Sequence, residues 1–144
     1  MMDDNRIWLF DTTLRDGGQT RGVDFSQADK IAIAAALDEI GVDYIEGGWP
    51  GANPTDDAFF ASPPQTRNAR MVAFGMTRRG GRSAANDPGL NAVLDAEVPA
   101  TCLVGMTWDF HVETAINTTL DENLEMIRQS VAAAAERGRE SMFD

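Results

Sequence analysis

The chain has 144 residues, 43% of them hydrophobic, enough for one compact domain with a core and too apolar for general disorder. Its formal net charge of −11 excludes the basic surface that would neutralise the phosphates of nucleic acid or an anionic membrane. No apolar run is long enough to span a bilayer, Met1 to Asn5 do not begin a signal peptide, and a lone cysteine cannot form an internal disulfide, a combination that fits a cytoplasmic location.

Ile7-Trp8-Leu9-Phe10 reads as a buried strand. Ser26, with Asp29 three residues on, predicts a capping box that opens a helix; Ile33, Ala34, Leu37 and Ile40 mark its apolar face and Gly41 its stop. Asp43 to Glu46 form the second predicted strand. Asn53 and Pro54 pair an N-cap with an N1 proline, opening a short helix through Phe59-Phe60 that Pro63-Pro64 ends. Met71 to Phe74 read as the third strand. Asp87-Pro88 repeat the cap-plus-proline device before Leu90, Val93 and Leu94. Thr101 to Val104 read as the fourth strand, with Cys102 inside it as a buried structural cysteine. Thr119 and Glu122 predict a second capping box, and Leu124, Ile127, Val131 and Ala135 the inner face of the longest helix, which Gly138 ends. Ser141 to Asp144 begin a fifth strand.

The order is four βα units plus one opening strand, and the strands are short and continuously apolar, as in parallel sheets covered on both faces. Two architectures fit this alternation, an open doubly wound sheet and a closed (β/α)8 barrel. A full barrel needs about 250 residues, so the barrel reading makes residues 1–144 the N-terminal half of one, a single partial domain. The stretch Arg78-Arg79-Gly80-Gly81-Arg82 reads as a solvated loop, with a phosphate-contacting loop as the alternative.

The chemistry concentrates in Asp11-Thr12-Thr13-Leu14-Arg15-Asp16-Gly17-Gly18-Gln19-Thr20, where the first strand ends. Ligands of parallel α/β folds bind at the C-terminal ends of strands. Asp16 offers a hard oxygen for a divalent cation, and Arg15 a planar fork for a carboxylate or a developing oxyanion. An Arg-Asp ion pair within a tight turn accounts for the same two residues equally well.

Asp11 to Gln19 resembles the DTTLRDG signature of the DRE-TIM metallolyase superfamily (the HMGL-like, pyruvate carboxyltransferase domain), whose members include isopropylmalate, homocitrate and citramalate synthases, HMG-CoA lyase and 4-hydroxy-2-oxovalerate aldolase. The likeness continues through Gly22 to Ser26 and Gly41 to Pro54. The segments Glu46-Gly47-Gly48-Trp49-Pro50-Gly51 and Thr107-Trp108-Asp109-Phe110-His111-Val112 look most like the citramalate synthase branch. The resemblance implies a TIM barrel in which Asp16 is a metal ligand and Arg15 binds and polarises a 2-oxo acid. It implies that Glu46 is a catalytic residue beside Arg15, with orientation of the guanidinium favoured over direct proton transfer as its role, and that Gln19, Asp109 and His111 line the substrate site. A lone histidine such as His111 is also commonly structural. The resemblance further implies a divalent metal (Mg, Mn or Zn), acetyl-CoA as co-substrate, and a homodimer for the full-length parent. Met106 stands where the family's pattern has lysine. The family's His-x-His pair, a later Asn and a strand-five Glu have no counterparts here, so the chain is expected to be the first part of a longer enzyme and inactive by itself. The function that the resemblance implies for the parent is an acyltransferase that condenses acetyl-CoA with a 2-oxo acid, pyruvate to citramalate in the first place. A 2-isopropylmalate or homocitrate synthase, a lyase or aldolase of the same superfamily, and a non-catalytic half-barrel module are the competing readings.

Overall fold

The computed structural model describes residues 5–144; the segment Met1 to Asp4, which entered the reading of the N-terminus, lies outside it. Five parallel strands form one sheet in the order β1-β2-β3-β4-β5: β1 Phe10–Asp11, β2 Tyr44–Gly48, β3 Arg70–Met76, β4 Ala100–Val104 and β5 Glu140–Phe143. Helices α1 (Gln27–Ile40), α2 (Pro54–Ala61) and α3 (Pro88–Asp95) fill the first three crossovers, and α4 (Asp109–Thr114) with α5 (Leu120–Glu136) fill the fourth. A doubly wound sheet reverses its strand order at a switch point, whereas a barrel adds each strand beside the last. The sequential order here is therefore that of the N-terminal half of a barrel. The curl is visible in one bond: the Tyr44 hydroxyl on β2 donates to Glu140 Oε1 on β5 at 2.7 Å, across two intervening strands.

Alternation along the strands sorts the core into two layers. Tyr44, Val72, Phe74, Ala100 and Cys102 cluster on the inner face, while Ile45, Met71, Ala73 and Leu103 pack with α1, α2 and α3 residues such as Ala34, Phe59, Leu90 and Val93 on the outer face. The predicted caps hold. Ser26 and Asp29 form the full capping box, and Asn53 and Asp87 accept from Asp56 N and Leu90 N, each before a proline.

Four expectations need correction. Ile7 to Phe10 is no buried strand: Ile7 is 83% exposed, and only Phe10 and Asp11 pair with β2. They lie on an edge strand, with neighbours on one side only. The buried stripe of α1 is Lys30, Ala34 and Asp38, spaced i, i+4, i+8, with Ile33 and Leu37 flanking it and Ile40 75% exposed. In α5 the buried residues are Asn123, Met126, Ser130 and Ala134, while Leu124 is 65% exposed and Ala135 exposed. Apolar spacing misjudged both faces because specific polar bonds compensate the buried polar residues. Finally, Thr119 caps Glu122 N, but the Glu122 carboxylate leaves the box for Arg78 Nη1 (2.7 Å) and Gly81 N (3.3 Å).

Asp38 shows how such compensation works. Its Oδ1 accepts from Asn68 N (2.8 Å) and Ala69 N (2.7 Å), and its Oδ2 from Arg67 N (2.9 Å), which ties α1 to the loop before β3. Burial alone would push this carboxyl up; the three N–H groups and the Arg67 charge outweigh it and hold the carboxyl below its ordinary value. A group depressed in the folded state stabilises above its unfolded pKa and loses that contribution as pH falls through the folded one. Asp38→Ala should therefore cost about 1–3 kcal/mol near neutrality. Urea melts of both proteins should converge as pH drops below the ordinary carboxylate range.

Candidate active site

Downstream of β1 the backbone turns tightly around one carbonyl: Thr12 O accepts from Arg15 N, Asp16 N and Gly17 N at 3.2, 2.8 and 3.2 Å. Asp11 Oδ1 accepts from Thr13 N at 2.9 Å, and Leu14 plugs the core at 1% exposure. With Leu14 anchored, the next side chain turns back over the inner face of the sheet. Arg15 Nε donates to Glu46 Oε2 at 2.7 Å, its Nη1 lies 3.2 Å from Asp16 Oδ1, and its guanidinium carbon sits 4.0 Å from the Phe74 ring centroid. Arg15 and Asp16 are thus an ion pair in a tight turn, and Glu46 joins them from the end of β2.

Glu46 is 1% exposed. Burial pushes its carboxyl above the ordinary value, and the Arg15 hydrogen bond and charge draw it partly back. Burial, followed by the Glu46 charge, pushes the Cys102 thiol on β4 up to about 12, which makes it an inert structural thiol at neutral pH. The glycines after Glu46 have a steric cause. A Cβ on Gly47 would lie 2.6 Å from Phe59 Cε1, and Gly48 has φ +147° with its Cβ position 2.6 Å from the Asp56 carboxylate.

Gln19 shares with Arg15 a pocket of about 200 Å³, also lined by Asp24, Asn53, Asp56 and Trp49. Asp109 and His111 lie elsewhere, on α4. Both are exposed; Asp109 Oδ1 accepts from Phe110 N (2.7 Å), and the His111 ring sits 4.6 Å from that of Trp108. Neither lines the Arg15 pocket. A larger cavity of about 700 Å³ opens at the ends of β3 and β4, lined by Trp49, Met76, Arg79, Met106, Ile116 and Met126 among others. The expected solvated loop is only partly so. Arg78 is 2% exposed, held by Gln129 Oε1, Glu122 Oε1 and its neighbour's carbonyl, whereas Arg79 to Arg82 are exposed. Sequence reading missed Lys30 and Asp56, which form a buried ion pair against this site. Their charge disguised them as surface residues.

The donor set does not fit a catalytic metal on its own. Asp16 is a single, largely exposed carboxylate bonded to Arg15, and among the described residues no group of three His, Cys, Asp or Glu could hold an ion.

The HMGL-like family model matches residues 6–144. The chain belongs to the HMGL-like family. It is 46% identical over 141 residues to an (R)-citramalate synthase of Aquifex aeolicus, covering 96% of this chain and 27% of that protein. It is 49% identical over 144 residues to one of Streptomyces coelicolor, covering 98% and 27%. A 2-isopropylmalate synthase of Solidesulfovibrio magneticus is 33% identical over 145 residues, covering 99% of this chain and 27% of that protein. The chain thus spans about a quarter of the length of these curated relatives. The hydroxymethylglutaryl-CoA lyase of Pseudomonas aeruginosa superposes with a TM-score of 0.74 at 21% identity over 96% of this chain and 45% of that one, a likeness of fold.

Two outcomes follow from the packing of this HMGL-like site. Gly47→Ala should lower stability by about 1–3 kcal/mol through overpacking against Phe59, read from thermal melts. Arg15→Met removes the positive charge that favours ionised Glu46, so the Glu46 carboxyl should titrate still higher, followed by carbon-13 NMR of the carboxyl. A raised folded pKa means that the associated stability is present at low pH and lost as pH rises through it. The variant should therefore become less stable from acid towards neutral pH than the parent chain does.

Proposed function

We propose that this chain carries the 2-oxo acid-binding part of an acyl-CoA-dependent condensing enzyme, with pyruvate as the acceptor and citramalate as the product. The observation that carries the reading is the Arg15 guanidinium. Its Nε is held by Glu46, its Nη1 is paired with Asp16 and its face rests on Phe74, which leaves Nη2 to meet a planar anion. The choice of pyruvate rests on the five (R)-citramalate synthases at 43–49% identity, against 33% for the 2-isopropylmalate and homocitrate synthases.

In this reading a base takes a proton from the acetyl-CoA methyl group, the enolate attacks the keto acid's carbonyl, and Arg15 binds that acid and stabilises the alkoxide. The alkoxide is then protonated, and water hydrolyses the thioester to release citramalate and the free thiol. Glu46 fixes the plane and position of the guanidinium. Asp16 is the one donor this chain brings towards a divalent cation, and no step is assigned to such an ion. Gln19 lines the acid's pocket. Asp109 and His111 lie outside it, where they meet a large acyl donor rather than the small acid. The enzyme as a whole works as a homodimer.

Replacing the corresponding quarter of the Aquifex aeolicus (R)-citramalate synthase with this chain should give a chimera that releases free thiol from acetyl-CoA in the presence of pyruvate. Arg15→Met should then lower kcat/KM by about 10²–10³-fold, and a chimera indifferent to Arg15 would sink the reading. The 144-residue chain alone should release no thiol under the same conditions; metal-dependent turnover by it would show that the described donors suffice.

A further inference from the structure

Lys30 is the only lysine in the chain, and it is buried, 4% exposed, at the N-terminal end of α1's buried stripe. Burying a lysine ammonium costs several kcal/mol unless it is paired and hydrogen-bonded. Here its Nζ contacts Asp56 Oδ1 on α2, donates to Gly47 O at 2.9 Å, and lies 5.8 Å from the Phe59 ring centroid. Asp56 turns its other oxygen to the chain beyond: Oδ2 accepts from Trp49 N at 2.9 Å and from Asn53 Nδ2 at 3.0 Å. The pair thus bonds the backbone on both sides of Gly48.

That stretch is where β2 leaves its ladder. Glu46 pairs with Val72 and Gly48 with Ala73, so Gly47 is the extra residue of a bulge. A bulge breaks regular pairing and re-aims side chains, and its carbonyls and amides need other partners. Lys30 and Asp56 provide them. On one side of the bulge stands Glu46, which holds Arg15. On the other stands Trp49, whose side chain stacks edge-on to Phe74 at 5.5 Å and borders both the Arg15 pocket and the larger cavity.

We infer that Lys30 and Asp56 are positioning residues for this site, clamping the β2 bulge so that Glu46 meets Arg15 and Trp49 stands as the wall between the two cavities. The inference rests on reading Arg15 and Glu46 as the acid-binding pair, but its test uses neither substrate nor turnover, so the two can fail separately. In nitrogen-15-labelled chain, the Arg15 Nε–H and Trp49 backbone amide are followed by hydrogen exchange, with circular dichroism reporting the fold. The double variant Lys30→Met/Asp56→Leu replaces the pair with apolar side chains, a change that buried ion pairs often tolerate. It should remain folded while both protons exchange at least about tenfold faster. Lys30→Arg keeps the charge and should hold the Arg15 proton within about twofold of the parent. A folded double variant with unchanged exchange at Arg15 would overturn the inference. So would unfolding of the double variant and of Asp56→Asn alike, since the pair would then serve the fold at large and not the site.

Discussion

A carboxylate with 1% exposure on the inner face of a sheet is the constraint around which this structure is arranged. Burial disfavours the charged form of Glu46, and the protein offsets it with the Arg15 guanidinium. That choice dictates the loop after β1. The backbone must curl about Thr12 O so that Leu14 points into the core and Arg15 points across it. Phe74 must lie flat beneath the guanidinium, which places an aromatic on the inner face of β3. A planar cation held at Nε by Glu46, at Nη1 by Asp16 and on one face by Phe74 keeps few orientations.

The same economy governs the second layer. Gly47 and Gly48 lack side chains because Phe59 and the Asp56 carboxylate occupy that space. Close approach brings α2 near enough for Asp56 to reach Trp49 N and for Lys30, from α1, to reach Gly47 O. Two helices and a strand end thus meet through one buried ion pair. Farther along, Arg78 plays a comparable part, tying the loop after β3 to α5 through Glu122 and Gln129.

Much of this was legible in residue order. The Ser26, Asn53, Asp87 and Thr119 caps each open a helix, because capping is decided within four residues and needs no tertiary partner. The grouping of Arg15 with Glu46 came from family resemblance; spacing alone could not join residues 31 apart. What failed were statements about sides. Lys30 and Asp38 on α1 and Ser130 on α5 look like solvent residues in a periodic pattern, yet each is buried because a distant partner satisfies it.

By itself, then, the sequence determined the βα alternation and the caps, since both rest on local propensity and short motifs. Tertiary structure decided the rest. Sequential parallel pairing selected a curled half-barrel over a doubly wound sheet, and the Tyr44–Glu140 bond across it records that curvature. Curvature is a property of how strands pair, not of any one strand. It is also what faces Arg15, Glu46, Phe74 and Cys102 towards one another on a single concave surface.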